Sequence, residues 1–296
     1  MSTSRTRPDS HNRLHHLRRT WQRANARRLA VVIIVCLGSA GPEKLATLAS
    51  EENEPASNSG DDQSGDRRAD PDPYVLTTYR QSYFKLDSSG AHEKQDGHLI
   101  RAEKTFRLSR TIHPEKTAVI VMDPWIDMDS DQLNDYFGAI TESHVNPLVH
   151  EALDRGHPVI VLTNDPEIVD FNTKVHPTLA ALVEDGKAEM LYHQDLDDDL
   201  FAERLRSRSI NSLIYVGFAS NMCVIGRRMG MIPMVHRGFR NCFVPQASAA
   251  REYPVTCENQ AVHHATTRMI AQWIAEIVDY EVFMNATSDS APASAP

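Results

Sequence analysis

A carboxylate and a thiol, far apart in this 296-residue chain, each follow an apolar run of the kind that ends at a ligand crevice. Asp123 closes the run Thr117-Ala118-Val119-Ile120-Val121-Met122 and leads into Pro124-Trp125. Cys223 closes the turn Gly217-Phe218-Ala219-Ser220-Asn221-Met222, which follows a second apolar run at 212–217. Small and polar residues before the cysteine suit a tight turn whose backbone N–H groups could hold a developing oxyanion. A helix beginning at Cys223 would put the thiol at the positive end of the helix dipole, which predicts a lowered pKa. A carboxylate within reach could take the thiol proton. Each residue also has a structural use: Asp123 could cap a helix, and Cys223 could be a small buried hydrophobe.

Those two residues need a scaffold that carries both to one place. Apolar runs recur at 117–122, 158–163, 188–193, 212–217 and 239–244, mostly β-branched or aromatic and apolar on both faces. Strands covered by helices on both sides have that composition. Helical spacing occupies the intervals at 143–155, 177–184 and 199–208, the first stopped by Gly156-His157-Pro158. A last helix is expected over 261–278, packing Ile270, Trp273, Ile274 and Ile277. The alternation predicts an α/β fold, three layers αβα around a mostly parallel central sheet. Ligands in such sheets sit beyond the carboxyl ends of the strands. Asp123, Asn164, His193, the turn 218–223 and Pro245 occupy those ends.

The segments 117–123 and 212–224 resemble the signature strands of the isochorismatase-like cysteine hydrolases, which include nicotinamidases, carbamoylsarcosine amidohydrolases and ureidoacrylate hydrolases. The resemblance covers about residues 117–282. It implies that Cys223 is the nucleophile, Asp123 the base, and that a non-proline cis peptide falls at Phe218-Ala219, turning the Ala219 N–H toward the oxyanion beside that of Cys223. It implies a small-molecule substrate with an amide or related C–N, ester or vinyl-ether bond, and an assembly of identical subunits. Trp125, Asn164 and Phe218 are the expected substrate contacts.

Three departures from that pattern stand out. The family's third catalytic residue is a lysine at the end of the third strand, where this chain has His193; Lys187 stands before the strand. His193 is taken as its substitute, with a weakened hydrolase or a binding protein as the alternative. Nicotinamidase-type members place an Asp and two His near the second strand, whereas this stretch reads Thr163-Asn164-Asp165-Pro166-Glu167. Asp127, Asp129 and Asp131 have calcium-loop spacing without the glycine and closing glutamate. No metal and no cofactor are expected. Finally, Gly226-Arg227-Arg228-Met229-Gly230 interrupts the helix after the nucleophile, and Pro245 stands where the family commonly has an Asp. His263-His264 are adjacent on a helix and do not share a face.

Composition bounds the rest. The net charge of -9, with arginines concentrated before residue 29, leaves no basic body for nucleic acid. Four cysteines show neither CxxC nor zinc spacing; Cys242 and Cys257 are read as structural, and a redox-responsive Cys223 is a third possibility for function. Residues 1–41 read as a signal peptide or N-terminal anchor, with Arg27-Arg28 before the apolar run 29–41. That predicts export or membrane anchoring in a bacterial cell envelope, and a cytoplasmic location if the run is not a signal. Residues 42–73 read as a disordered linker, 74–110 as an extension with a β-hairpin around Ser88-Ser89-Gly90, 111–284 as the hydrolase domain and 285–296 as a disordered tail.

Overall fold

The computed structural model describes residues 71–287 except 129. The leader, all but the end of the linker, and most of the C-terminal tail lie outside the described residues. Among the described residues no helix is long and apolar enough to cross a membrane.

Strand β1 (Tyr74–Phe84) opens the fold, followed by the small ribbon β2 (Lys94–Gln95) and β3 (His98–Leu99), then β4 (Arg101–Ile112). The apolar runs become β5 (Thr117–Met122), β6 (Val159–Thr163), β7 (Glu189–Tyr192), β8 (Ser212–Phe218) and β9 (Arg240–Ala249), and β10 is Glu276–Ile277. The helices are α1 (Asp131–Ile140), α2 (Asn146–Asp154), α3 (Pro177–Glu184), α4 (Asp198–Ser207), α5 (Cys223–Gly226), α6 (Met231–His236), α7 (Ala261–Trp273) and α8 (Tyr280–Met284). Eight strands form one sheet in the order β4-β1-β10-β9-β8-β5-β6-β7. From β10 to β7 every pairing is parallel; only β1 and β4 run against their neighbours.

Every residue of β5 and β8 is buried. Val119 and Val121 face one layer with Phe137 of α1, Leu148 and Val149 of α2 and Leu179 of α3. Ala118, Ile120 and Met122 face the other, with Phe201 and Leu205 of α4, Met231 of α6 and Ile270 of α7. The alternating Cβ directions of one strand thus serve two helical layers, and this is the expected three-layer αβα arrangement.

Several boundaries differ from the sequence expectation. The helix expected from 143 begins at 131, with Ser130 accepting from the Leu133 N–H at its start, and runs through a π-helical turn at Thr141–Val145 into α2. Asp131 is therefore a first-turn helix residue and Asp127 pairs with Lys174 at 3.0 Å; Asp129 lies outside the described residues. The last helix stops at Trp273, which is 47% exposed, because the next residues join the sheet as β10. The hairpin near the N-terminus is longer than expected and is not a separate extra. β1 pairs with β4 over most of its length and with β10 on its other side. A buried ion pair fastens it: Arg110 Nη2 lies 2.7 Å from Glu276 Oε1, and the Thr78 hydroxyl donates to Glu276 Oε2 at 2.6 Å. Arg110 also donates to the carbonyls of Ser88 and Ser89, so the expected turn is anchored by the strand it precedes.

His157, after the α2 stop, joins three segments. Its Nδ1–H donates to the Thr117 carbonyl at 2.7 Å, which leaves Nε2 to accept from the Tyr74 hydroxyl at 2.8 Å. Burial pushes its pKa from 6.5 down to about 4, against the raising effect of the Thr117 carbonyl. The unfolded chain therefore takes this proton near 6.5 and the folded chain only near 4. The contribution to stability is full above about 6.5 and is lost as pH falls toward about 4, by roughly 3 kcal/mol. In urea titrations of wild type and His157→Gln, the advantage of wild type is expected to shrink across that window. A pH-independent difference would show that the imidazole does not titrate this way.

Candidate active site

β5 and β8 are direct neighbours, with Met122 opposite Gly217, so their carboxyl ends emerge side by side. The approach is close: a Cβ on Gly217, at φ +96°, would lie 2.2 Å from the Met122 carbonyl oxygen. Only glycine fits there. Asp123 follows at φ 45°, a left-handed conformation that costs a non-glycine residue about 1 kcal/mol. Its N–H donates to the Leu162 carbonyl at 2.8 Å, and its side chain is 2% exposed.

A carboxylate so buried needs partners, and among the described residues His193, Arg227 and the adjacent Cys223 thiol supply them. His193 Nε2 lies 3.3 Å from Oδ1, and Arg227 Nη1 donates to Oδ2 at 2.9 Å. His193 is itself buried, and its Nδ1 finds no hydrogen-bond partner among the described residues. The same Arg227 Nη1 lies 3.8 Å from the Cys223 sulfur, and Nη2 donates to Asn164 Oδ1. Gln194 also donates to Asn164 Oδ1 at 3.0 Å and accepts from the Asp165 N–H, tying the ends of β6 and β7 together.

The nucleophile turn contains the cis peptide at Phe218-Ala219. Its anchors lie on the stretch ending β9: the Ser220 N–H donates to the Ala249 carbonyl at 2.8 Å, and Asn221 Oδ1 accepts from the Arg251 N–H at 3.0 Å. Met222 is half exposed, and Cys223 next to it is half-buried. Trp125 lies on the neighbouring loop, its indole N–H donating to Thr163 Oγ1 at 2.8 Å and its ring edge-on to Phe171.

The structure therefore brings together Asp123, His193, Asn164 and Cys223, with Trp125 beside them. It corrects two expectations. The Phe218 ring is stacked on Phe137 at 4.3 Å inside the core, so it forms no open wall; an aromatic ring at a buried strand end gains more from that stack than from the crevice. The Cys223 thiol is not lowered. Burial and the adjacent Asp123 carboxylate push it up to about 12, and Arg227 opposes them only in part. α5 is a four-residue turn, too short to bring a useful dipole to bear.

Arg227 is the residue that sequence reasoning missed as a site group. The cation was sought at the end of β7, where the lysine of the resembled family would stand, but it comes from the segment after the thiol. Arg227 is four residues after Cys223, but it falls just past the end of the four-residue α5 in extended backbone, so helical spacing did not announce it. Its position is well supported. The Met229 N–H donates to Asp198 Oδ1 at 2.7 Å, and the Met229 carbonyl accepts from the buried Tyr215 hydroxyl at 2.8 Å. A Cβ on Gly230 would lie 2.8 Å from the Arg227 carbonyl oxygen, which explains the second glycine.

No family model matches the chain, and no curated protein matches it. Solved structures do resemble it. A cysteine hydrolase from Pseudomonas syringae pv. phaseolicola 1448A is 21% identical, over 58% of this chain and 92% of its own, with a TM-score of 0.45. A nicotinamidase from Bacillus subtilis is 18% identical over 55% and 99%, with a TM-score of 0.43. An isochorismatase from Pseudomonas putida KT2440 is 16% identical over 56% and 89%, with a TM-score of 0.44. What the fold and site define is an α/β protein with a thiol, a carboxylate and a guanidinium converging at the carboxyl ends of its central strands. Among the described residues no group of three His, Cys, Asp or Glu could hold a metal ion.

The raised thiol pKa has a direct readout. Alkylation of Cys223 by iodoacetamide, followed by peptide mass spectrometry, should keep accelerating above about pH 8.5, where an ordinary cysteine levels off. A plateau near that value would contradict the buried, carboxylate-flanked thiol.

Proposed function

We propose that this protein is an isochorismatase-like hydrolase that cleaves a small-molecule amide through a covalent Cys223 intermediate. The observation that supports it is the single guanidinium of Arg227 in contact with both the Asp123 carboxylate and the Cys223 sulfur. A neutral thiol next to a carboxylate base can be deprotonated at the moment of attack, which is what nucleophilic catalysis requires.

In that scheme the Cys223 proton passes to Asp123 as the sulfur adds to the amide carbonyl carbon. The carbonyl oxygen becomes an oxyanion facing the N–H groups of Ala219 and Cys223, for which no protein acceptor is found among the described residues. The tetrahedral adduct collapses, the C–N bond breaks, and the amine leaves with the proton held on Asp123. Water then attacks the thioester while Asp123 takes its proton, releasing the acid and restoring the thiol. Arg227 stays charged throughout and offsets the negative charge as it moves between sulfur and carboxylate. His193 orients the other carboxylate oxygen, Trp125 borders the substrate, and the buried Asn164, expected as a substrate contact, instead holds the Arg227 guanidinium. Location in the cell envelope is part of the same proposal and is supported only by the apolar run 29–41.

Turnover of a panel of primary amides, including nicotinamide and benzamide, tests this. Cys223→Ala should lose turnover by at least about a thousandfold, and Asp123→Asn by a comparable factor, with melting still cooperative. Arg227→Met should lose at least about a hundredfold in kcat/KM, with partial recovery in Arg227→Lys. Saturable binding without turnover by the wild type would make the protein a binding protein on a hydrolase-like scaffold. Unaltered turnover in Cys223→Ala would remove the covalent mechanism.

A further inference from the structure

Ser220 sits in the middle of the nucleophile turn, three residues before Cys223, and is fully buried. Its hydroxyl lies 2.9 Å from Nδ1 of His263 on α7, and Nε2 of that imidazole lies 3.1 Å from the Pro245 carbonyl oxygen. A carbonyl can only accept, so Nε2 carries the proton. Nδ1 is then a bare acceptor, and the Ser220 hydroxyl donates to it. His263 is also fixed along its backbone, where its N–H donates to Glu252 Oε1 at 2.8 Å.

The imidazole is nearly sealed, yet it borders a cavity of about 390 Å³. Tyr79 of β1, His144 of the π-helical turn, Gln246 of β9, His264 of α7 and Asp279 before α8 also line that cavity. Protons can reach His263 from there. The groups that act on its charge are its burial and His264, which disfavour the imidazolium, and the Pro245 carbonyl and Glu252, which favour it. Burial prevails, so His263 titrates below its ordinary value. The neutral form, and with it the accepted hydrogen bond, is retained at the ordinary imidazole value of about 6.5 and above, and is lost only as pH falls through the lowered value.

We propose that His263 is a positioning residue for the nucleophile turn and a proton-sensitive one. Neutral, it accepts the Ser220 hydroxyl and holds the turn that presents Cys223. Protonated, Nδ1 becomes a donor, the Ser220 hydroxyl must turn to accept from it, and its own proton is left without this acceptor, which weakens the hold of α7 on the turn. The proposal rests on the reading of Cys223 as the nucleophile, but the contact itself does not.

Alkylation of Cys223 in the full-length protein by iodoacetamide therefore tests it without a substrate. The amide nitrogen of a glutamine can stand in for Nε2 and keep the bond to Pro245 while offering Ser220 no acceptor. The amide oxygen of an asparagine can stand in for Nδ1, accept from Ser220, and cannot titrate. His263→Gln should change the alkylation rate at neutral pH by about tenfold, the equivalent of one buried hydrogen bond, and His263→Asn should restore most of it. The ratio of wild-type to His263→Asn rates should shift only as pH falls well below the ordinary imidazole value of about 6.5, because only the wild type carries a titrating imidazole there. In a Ser220→Ala background, His263→Gln should have no further effect; that variant and the pH ratio decide the matter even where His263→Gln folds poorly. Equal effects of the two His263 variants, a pH-independent ratio, or additive loss in the Ser220→Ala background would overturn the proposal. Failure of the nucleophile reading looks different: Cys223→Ala would retain turnover while the alkylation pattern persisted.

Discussion

A carboxylate removed from water must be matched by charge or hydrogen bonds on the spot, and Asp123 imposes that requirement on the whole site. With 2% of its surface exposed, it cannot borrow stabilisation from solvent. Arg227 and His193 supply it, one on each oxygen. Each then needs support of its own. The guanidinium is held on its second nitrogen by Asn164, which Gln194 holds in turn. The backbone carrying Arg227 is clamped at Met229 from both sides, by Asp198 and by Tyr215. A single buried charge thus recruits groups from β5, β6, the loop after β7, α4, β8 and the segment after α5.

The sheet makes this convergence geometrically available. β5 and β8 are adjacent, and Gly217 lets their backbones approach to a distance no side chain would permit. β9 then does more than flank β8. It slips register between Tyr215 and Gly217 and continues past Pro245, so that Ala249 and Arg251 reach the nucleophile turn. A strand that ended at Val244, as its apolar composition suggests, would have left that turn without its anchors. Proline lacks the N–H a regular ladder needs, and the irregularity of β9 is where it is tolerated.

What could be read in the sequence follows from what each signal measures. Strands β5, β6 and β8 were legible because burial on both faces makes them continuously apolar. β7 is shorter than its run, and β10 has two residues, too few for any period. The half-exposed β1 and largely exposed β4 carry charged and polar residues, and no local pattern announces their backbone pairing with the main sheet or the Arg110–Glu276 contact that accompanies it. At the site, Asp123, His193 and Cys223 were legible because strand ends are where ligands gather. Arg227 was not, because two glycines around it read as an interruption, whereas Gly230 marks the close backbone packing that positions it.

The identity of that cation has chemical consequences. A lysine can give up its proton and serve as acid or base, whereas a guanidinium cannot within the range proteins tolerate. Arg227 therefore contributes a fixed charge and directional donors, and in the proposed mechanism the moving proton is left to Asp123. His193 has one nitrogen toward Asp123 and one buried with no partner among the described residues. If Nε2 donates to the carboxylate, Nδ1 is left as an acceptor. A fixed cation stabilises both carboxylate and thiolate, so it shifts the proton transfer between them far less than it lowers the energy of the charged pair as a whole. In such a site the thiol can stay neutral and unreactive at rest, and the negative charge appears on sulfur only when an electrophile is there to receive it.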